Sequence, residues 1–591
     1  MLGKVIAVKE NIVEIALNPE LDKNSSLINY HIVLEETNAK FIGEIKEITN
    51  NIATIVLLGE IKDNRFLSGF DRRPSFNANC RIVNKVELDT IIGSIHLQDN
   101  QKLYMGKMPL YDNYPVFINL NTFFSNHFAV FGNTGSGKSY SVARVLQNVF
   151  YNVNNIPDKA NIFIFDVYGE YHNAFGKLEQ YSPNLSFKRY TTKLKFPDSE
   201  IVSIPIWLLG VDDIALLLGA DNHLQLPIIE KALRLITIFA REEESVIVYK
   251  NDIIARALLE ILYSGNTPSQ IRDQIFSVLT IYNTKDLNLD SKIVQQGYAR
   301  PLRHCLNIDK DGKLNEVRLV IEYISTFIKD NLHLDLPDGS FPYTLKQLTE
   351  AFDFALISEG ILKSDKVYDY ANVLKVRLHA LYNSEYSKYF DYKEHIDKGN
   401  YIRKLLTSPT GKKAQIINFN MSYVDDRLAK VITKIYSKML YEYSAEMSDR
   451  ATFPIHIILE EAHRYVQNDN DTHLLGYNIF DRITKEGRKY GILLGLISQR
   501  PAELSSTTLS QCSNFLIFKI VHPQDLEFVG NMLPNVSKEM LDKIKTLQPG
   551  TCIAFGNAFQ LPTTINFDLP NPAPESSNAN IGALWFNQKQ Q

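Results

Sequence analysis

The chain has 591 residues, 45% of them apolar and 22% charged, with a formal net charge of −4 at neutral pH. That length predicts about three to five domain-sized units, and the composition excludes a mostly disordered chain. The charge excludes a protein that is basic all over, but not one that binds nucleic acid through a local basic lining.

Four scattered cysteines, Cys80, Cys305, Cys512 and Cys552, form no C-x-x-C pair and exclude a disulfide scaffold. They read as buried reduced thiols, which makes a cytoplasmic location the expectation. His304 beside Cys305 is the only potential ligand adjacent to a cysteine, and one pair does not make a site. No apolar run approaches the roughly 18–20 residues that span a bilayer, so no membrane partner is expected. The alternating, charge-bearing first residues read as a strand rather than a signal peptide.

Residues 1–100 predict short strands at Val5–Val8, Ile12–Leu17, Tyr30–Leu34, Phe41–Ile48 and Ile52–Leu58, with two more near Arg81–Leu88 and Ile91–Ile95. Close spacing of short strands suggests a small β-barrel with a structural or assembly role. From about residue 115 the period changes. An apolar strand, Phe128–Phe131, meets a Gly-rich loop, and a helix pattern opens at Ser139. A second buried strand ends at Asp166. This alternation marks an α/β fold with a parallel sheet, its first part over 101–212.

Residues 213–404 are predicted as a helical insertion, with helices at Asp213–Leu218, Leu226–Arg241, Asp252–Tyr263, Pro268–Tyr282, Glu316–Asp330, Leu345–Ser358 and Asp365–Tyr382. Thr344 and Gln347 form a capping-box pattern before one of them. The α/β pattern returns over 405–560, with strands at Gln415–Phe419, Ile455–Leu459, Ile492–Ile497, Phe515–Ile520 and Cys552–Phe555. Residues 561–591, rich in Pro, Asn and Ser, read as an extended C-terminal arm.

The strongest motif is Gly132-Asn133-Thr134-Gly135-Ser136-Gly137-Lys138-Ser139, which matches G-x-x-x-x-G-K-[ST] in full. Its glycines let backbone N–H groups close on phosphate oxygens, and the following helix adds its positive end. Lys138 is placed to reach the β/γ-phosphates of ATP, and Ser139 offers a hydroxyl to Mg²⁺. The apolar strand ending in Glu460-Glu461 delivers two carboxylates to the edge where α/β sheets bind ligands. The first suits the Mg²⁺ shell and the second suits activation of water. Asp166 and Glu170, in DVYGEY, either assist Mg²⁺ and water or hold the turn at Gly169. Gln499, at a strand end, is suited to sensing the γ-phosphate. Arg488 is the first choice for an arginine finger, with Arg482 and Arg500 as alternatives.

GNTGSGKS, DVYGEY, LEEAH, EGRKYG and SQRP occur in that order, followed by LQPGTCIAFGNAFQLP. This set, with Asn126-His127-Phe128 before the loop, resembles the HerA branch of the HerA–FtsK superfamily of hexameric DNA-translocating ATPases. The resemblance covers the barrel, a RecA-like P-loop core and the arm, and only loosely the helical insertion. It implies a homohexamer with double-stranded DNA in its central channel. It assigns Lys138 and Ser139 to ATP and Mg²⁺, Glu460 and Glu461 to the Walker B pair with Glu461 activating water, Gln499 to the sensor, and Arg488 to action in trans. One departure is Glu460, where Asp is commonest. Its extra methylene makes Mg²⁺ contact less direct and turnover slower. Lys177, Lys188, Arg189 and Lys193 are candidates for the channel lining, and a solvated loop explains them equally well.

Members of the family work with a partner enzyme, either a NurA-like nuclease in DNA-end resection or nucleases and sirtuin-like NAD hydrolases in anti-phage defence. Asn- and Gln-rich stretches such as Gln467–Asn470 favour a mesophile, and with it the defence role. No nuclease or NAD-hydrolase motif is present in this chain, so the expected effector is a separate protein. The alternatives are an ATP-binding ring scaffold that assembles the effector, a DNA-end-resection helicase working with a NurA-like nuclease, and a single-strand helicase or packaging motor.

Overall fold

The computed structural model describes residues 2–18, 27–95, 97–151, 156–194, 200–295, 297–329, 341–358, 365–532, 538–576, 581 and 585. The first strands are β1 (Gly3–Val8), β2 (Ile12–Leu17), β3 (His31–Glu36), β4 (Ala39–Thr49), β5 (Ile52–Lys62), β6 (Arg65–Ser68) and β7 (Asn79–Ile82). They form an antiparallel sheet in the order β1–β2–β5–β4–β3–β7, with β6 paired to β5. Alternation gives each strand one apolar face. In β5, Ala53, Ile55 and Leu57 enter a separate core with Val13, Ile15, Ile32 and Leu34. The sheet curls as a half-barrel until Leu2 N–H donates to Cys80 O at 2.7 Å.

One expectation fails here: Arg81–Leu88 and Ile91–Ile95 are not two strands. The chain leaves β7 at Ile82 and forms helix α1 (Lys85–Ile92). A capping box starts it. The Glu87 N–H donates to Asn84 Oδ1 at 2.9 Å, and the Asn84 N–H donates to the Glu87 carboxylate at 3.1 Å.

Next come β8 (Lys102–Met108), β9 (Tyr114–Asn119), α2 (Leu120–Phe124), β10 (Phe128–Phe131), α3 (Lys138–Phe150), β11 (Ile162–Asp166), α4 (Tyr171–Phe175), β12 (Phe187–Thr191) and β13 (Glu200–Ile201). The helical stretch holds α5 (Val211–Leu218), α6 (Leu226–Phe239), α7 (Glu244–Leu262), α8 (Pro268–Ile281), the hairpin β14 (Lys292–Gln295) and β15 (Tyr298–Pro301), α9 (Leu302–Cys305), α10 (Val317–Ser325), α11 (Leu345–Ser358), α12 (Asp365–Asn383) and α13 (Lys398–Leu405). The predicted capping box opens α11: Thr344 N–H donates to Gln347 Oε1 at 2.9 Å, and Gln347 N–H to Thr344 Oγ1 at 3.2 Å. Helix α7 begins at Glu244 rather than Asp252, and α10 ends at Ser325. Asp330, the predicted end of that helix, lies outside the described residues, as do most residues beyond Ser576. The hairpin and α13 were not predicted.

The chain continues with β16 (Ile416–Asn420), α14 (Asp426–Ala445), β17 (Ile455–Leu459), α15 (Asp471–Leu475), α16 (Ile479–Glu486), β18 (Ile492–Ser498), α17 (Ser506–Ser510), β19 (Asn514–Ile517), α18 (Pro523–Met532), α19 (Lys538–Thr546), β20 (Thr551–Gly556) and β21 (Phe559–Asn566). Twelve strands make one sheet, β13–β12–β16–β11–β17–β18–β10–β19–β20–β21–β8–β9. It is parallel from β13 to β19 and antiparallel beyond. A parallel sheet covered on both faces needs apolar side chains both ways. Phe128 and Val130 enter one core, and Ala129 and Phe131 the other. The second core is continuous with the helical stretch: Ile229, Leu258, Ile275 and Leu374 share it with Phe163, Phe165 and Leu459.

Two further expectations are corrected. The arm does not begin at Leu561, because Leu561–Asn566 belong to β21, inside the sheet. Pro562 hid the strand. It sits where the register breaks, with Phe559 opposite Gly556 and Thr563 opposite Ala554, so no ladder donor is lost from a regular pairing. Lys188 is not a channel-lining residue. It lies on β12 and is buried, with Nζ donating to Lys404 O at 2.9 Å and Thr407 O at 2.6 Å and paired to Glu200 at 3.2 Å. All four cysteines are buried and free.

Candidate active site

The sheet register brings the motifs together. Phe165 pairs with Leu459, Leu459 with Leu496, and Phe131 with Ser498. Strands β11, β17, β18 and β10 therefore end at one edge, and Asp166, Glu460, Gln499 and Gly132 meet there.

The Gly-rich loop, Gly132–Ser139, wraps between β10 and α3. Its backbone is tied on both sides: Asn133 N–H donates to Lys519 O at 2.8 Å, and Gly550 N–H to Ser136 O at 2.9 Å. Gly137 has φ 100°, and a Cβ there would lie 2.8 Å from Gly550 N. Only glycine lets this loop take the turn and the close approach at once. Lys138 is buried and donates to Gly132 O at 2.7 Å and Asn133 O at 3.0 Å. Burial lowers its pKa, against the carboxylates of Glu461, Glu460 and Glu170, which raise it.

Beside Lys138, Ser139 Oγ donates to Glu460 Oε1 at 3.0 Å. The longer side chain of Glu460 thus reaches the hydroxyl directly. Its second oxygen, Oε2, is buried with no hydrogen-bond partner among the described residues. Burial, with Asp166 and Glu170 close by, raises the Glu460 pKa well above the usual carboxylate range. A hydroxyl, an orphaned carboxylate oxygen and a local excess of negative charge form a donor set suited to a hard divalent cation.

Glu461 follows in the left-handed region, at φ 48°. Its Oε1 accepts from Gln499 Nε2 at 3.0 Å, and Gln499 Oε1 accepts from Thr134 Oγ1 at 2.5 Å. Gln499 therefore links the phosphate loop to the second acid. A hollow of about 600 Å³ opens beside this pair, lined by Asn133, Thr134, Gln499, Arg500, Glu503 and His522 among others.

Asp166 is occupied differently. Its oxygens accept from the N–H groups of Gly169 (2.7 Å), Glu170 (3.0 Å) and Tyr171 (3.0 Å) and from Asn418 Nδ2 (3.0 Å). Four N–H donors fix it as the acid that holds the turn, behind Glu460. Glu170 faces the site, and burial followed by Asp166 raises its pKa.

The three arginines separate. Arg482 lies over the rings of Tyr441 and Tyr477 and pairs with Glu486 at 3.6 Å. Arg500 pairs with Glu503 at 2.8 Å on the rim of the hollow. Arg488 is exposed, makes no ion pair among the described residues, and precedes β18. Its charge bears on His127, the buried residue before β10. It therefore sits at the opposite edge of the sheet, about 20 Å from its own loop at roughly 3.3 Å per strand residue.

A family model for the central domain of the HerA helicase (DUF87) matches residues 103–440. The chain belongs to the HerA helicase family. It is 23% identical over 530 residues to the DNA double-strand break repair helicase HerA of Pyrococcus furiosus, covering 90% of this chain and 79% of that one. It is 25% identical over 563 residues to the protein of the same name from Sulfolobus acidocaldarius, covering 94% and 86%. Among solved structures it is similar to the plasmid coupling protein TrwB in complex with a non-hydrolysable GTP analogue, at 12% identity and TM-score 0.45, over 84% of this chain and 95% of that one. This HerA-family chain is a P-loop ATPase.

Sequence reasoning missed three parts of this arrangement. One is His463, whose Nδ1 lies 3.3 Å from Glu461 Oε2. Another is the bond from Thr134 to Gln499, across 365 positions of sequence. The third is the chain after β21, which crosses α3 and α4. There Gln147 Nε2 donates to Pro572 O at 2.8 Å, Asn173 Nδ2 to Ala573 O at 2.9 Å, and Glu575 N–H to Glu170 O at 2.9 Å. The spacing E-A-H was the only signal for the first, and nothing local signalled the others.

Proposed function

We propose that this chain forms a ring homohexamer that hydrolyses ATP with Mg²⁺ to move along double-stranded DNA, and that the ring drives or regulates a separate effector in anti-phage defence. The observation that carries the ATPase chemistry is the set Lys138, Ser139–Glu460 and Thr134–Gln499–Glu461 at one sheet edge. The loop N–H groups and Lys138 hold the phosphates, with the N-terminus of α3 behind them. Ser139 and Glu460 would hold Mg²⁺, whose role when bound is to neutralise phosphate charge. Glu461 orients and deprotonates the attacking water. Gln499 reads the γ-phosphate, and Arg488 of one subunit serves the ATP of the next.

DNA is the substrate proposed because the curated relatives are named as DNA double-strand break repair helicases. The effector is proposed, on the family resemblance, as a nuclease or a sirtuin-like NAD hydrolase. The deciding experiment is the steady-state ATPase rate with and without linear double-stranded DNA, with Lys138→Ala as the blank. Stimulation severalfold above the DNA-free rate is expected. Hydrolysis indifferent to DNA would favour the ring scaffold. In that case Lys138→Ala would also leave the effector complex active.

A further inference from the structure

We propose that His463 is a positioning residue for the carboxylate of Glu461. The inference rests on the reading of Glu461 as the group that activates water.

The geometry begins at the end of β17. Glu461 takes a left-handed backbone at φ 48°, which side-chain-bearing residues seldom adopt unless their surroundings hold them. A 3₁₀ turn over Ala462–Arg464 then brings His463 back beside it. The imidazole is largely buried, with its side chain 12% exposed. Its Nδ1 lies 3.1 Å from Ser498 Oγ and 3.3 Å from Glu461 Oε2. Ser498 is itself fully buried, and its Oγ also accepts from the Arg500 N–H at 3.0 Å. The hydroxyl is therefore fixed, and it fixes the ring.

The two carboxylate oxygens of Glu461 then have different surroundings. Oε1 is held by Gln499, whose amide is oriented in turn by Thr134. Oε2 makes no hydrogen bond among the described residues and has the His463 ring alongside. The carboxylate is thus constrained from both sides. Oε1 is committed to the sensor, and Oε2 keeps its lone pairs for the proton of water. A base that must be aligned with an in-line attack gains rate from such constraint, without any gain in substrate binding. Loss of His463 should therefore appear in kcat and not in KM.

The test compares His463→Leu, His463→Asn and Ser498→Ala, with Glu461→Gln in parallel. Leu and Asn have nearly the same shape, but only Asn carries a polar N–H where Nδ1 sits. His463→Leu is expected to lower kcat about tenfold, with KM for ATP and affinity for a non-hydrolysable ATP analogue within about twofold of the parent. His463→Asn should recover most of that loss, and Ser498→Ala should show a smaller fall in kcat alone. Melting curves establish that each variant is folded, and Ser498→Ala carries the test if His463→Leu is not. A kcat within twofold of the parent for His463→Leu, or an Asn variant no better than Leu, would overturn the proposal. Full turnover in Glu461→Gln would remove the underlying reading as well. Lost turnover there, with His463→Leu unimpaired, would remove only this inference.

Discussion

Glu460 and Glu461 are adjacent in sequence, yet their surroundings give them different consequences when changed. Glu461 has one oxygen engaged by Gln499, and its other oxygen has no hydrogen-bond partner among the described residues. Glu461→Gln should therefore keep nucleotide affinity while lowering hydrolysis about a hundredfold or more, read by analogue binding alongside phosphate release. Glu460 is 3% exposed, with one oxygen unpartnered among the described residues and two acids close by. That arrangement suits a cation but strains the cation-free fold. Glu460→Gln should abolish hydrolysis and yet raise the melting temperature of the nucleotide- and Mg²⁺-free protein, by about 1–2 kcal/mol of stability. A lower melting temperature would show that the carboxylate is stabilising as it stands. The loop and the acid pair were readable in sequence because each is contiguous and follows an apolar strand. Asp166 was readable only as an acid at a strand end. Whether it faced phosphate or held a turn depended on four N–H groups, one of them from Asn418 on a different strand.

Elements were legible where one signal dominated. The period of α11 and its Thr344–Gln347 box gave that helix from end to end, because period and cap agreed. Helix α1 was misread because Ile82, Val83, Val86 and Leu88 look like an alternating strand, and the N-x-x-E cap inside them carries less apparent weight. That cap is part of a larger device. Glu87 also binds Arg81 on β7 at 2.6 Å and Lys40 on β4 at 3.2 Å, which fastens α1 to the half-barrel. Burial pushes the Glu87 carboxyl up, but the bonds from Arg81, the Asn84 N–H and Lys40 outweigh it, and the pKa falls from 4.5 to about 2. A folded-state pKa below the unfolded one adds stability that is present above pH 4.5 and lost as pH falls toward 2. Glu87→Gln should thus cost about 2 kcal/mol at neutral pH. The gap between variant and parent should close as denaturation is followed down through that range. A gap independent of pH would mean that the charge contributes nothing.

At the scale of the whole molecule, the net charge of −4 is compatible with DNA only if cations are gathered on one surface, and removing Lys188 from that surface leaves the basic lining to other residues. The sequence could not supply this, since which cations would face the axis of the proposed ring is set by how subunits pack and not by local pattern. The position of Arg488 does bear on that packing. It lies at the sheet edge opposite its own phosphate loop, unpaired among the described residues and exposed, which under the proposed role leaves it for a neighbouring subunit's ATP. A head-to-tail ring sets one face of each subunit against a different face of the next, and so offers it a neighbour's ATP. Under the proposed roles, Lys138→Ala subunits lose ATP binding but keep Arg488, whereas Arg488→Ala subunits bind ATP but lack the cation. Each alone should be inactive. Mixed in equal amounts, random assembly makes about a quarter of the interfaces competent, and ATPase activity should recover to roughly that share of the parent. The recovery should peak at equal mixing and vanish at either extreme. If mixed rings form, as shown by co-purification of differently tagged subunits, and no mixing ratio restores turnover, then Arg488 does not act across the interface.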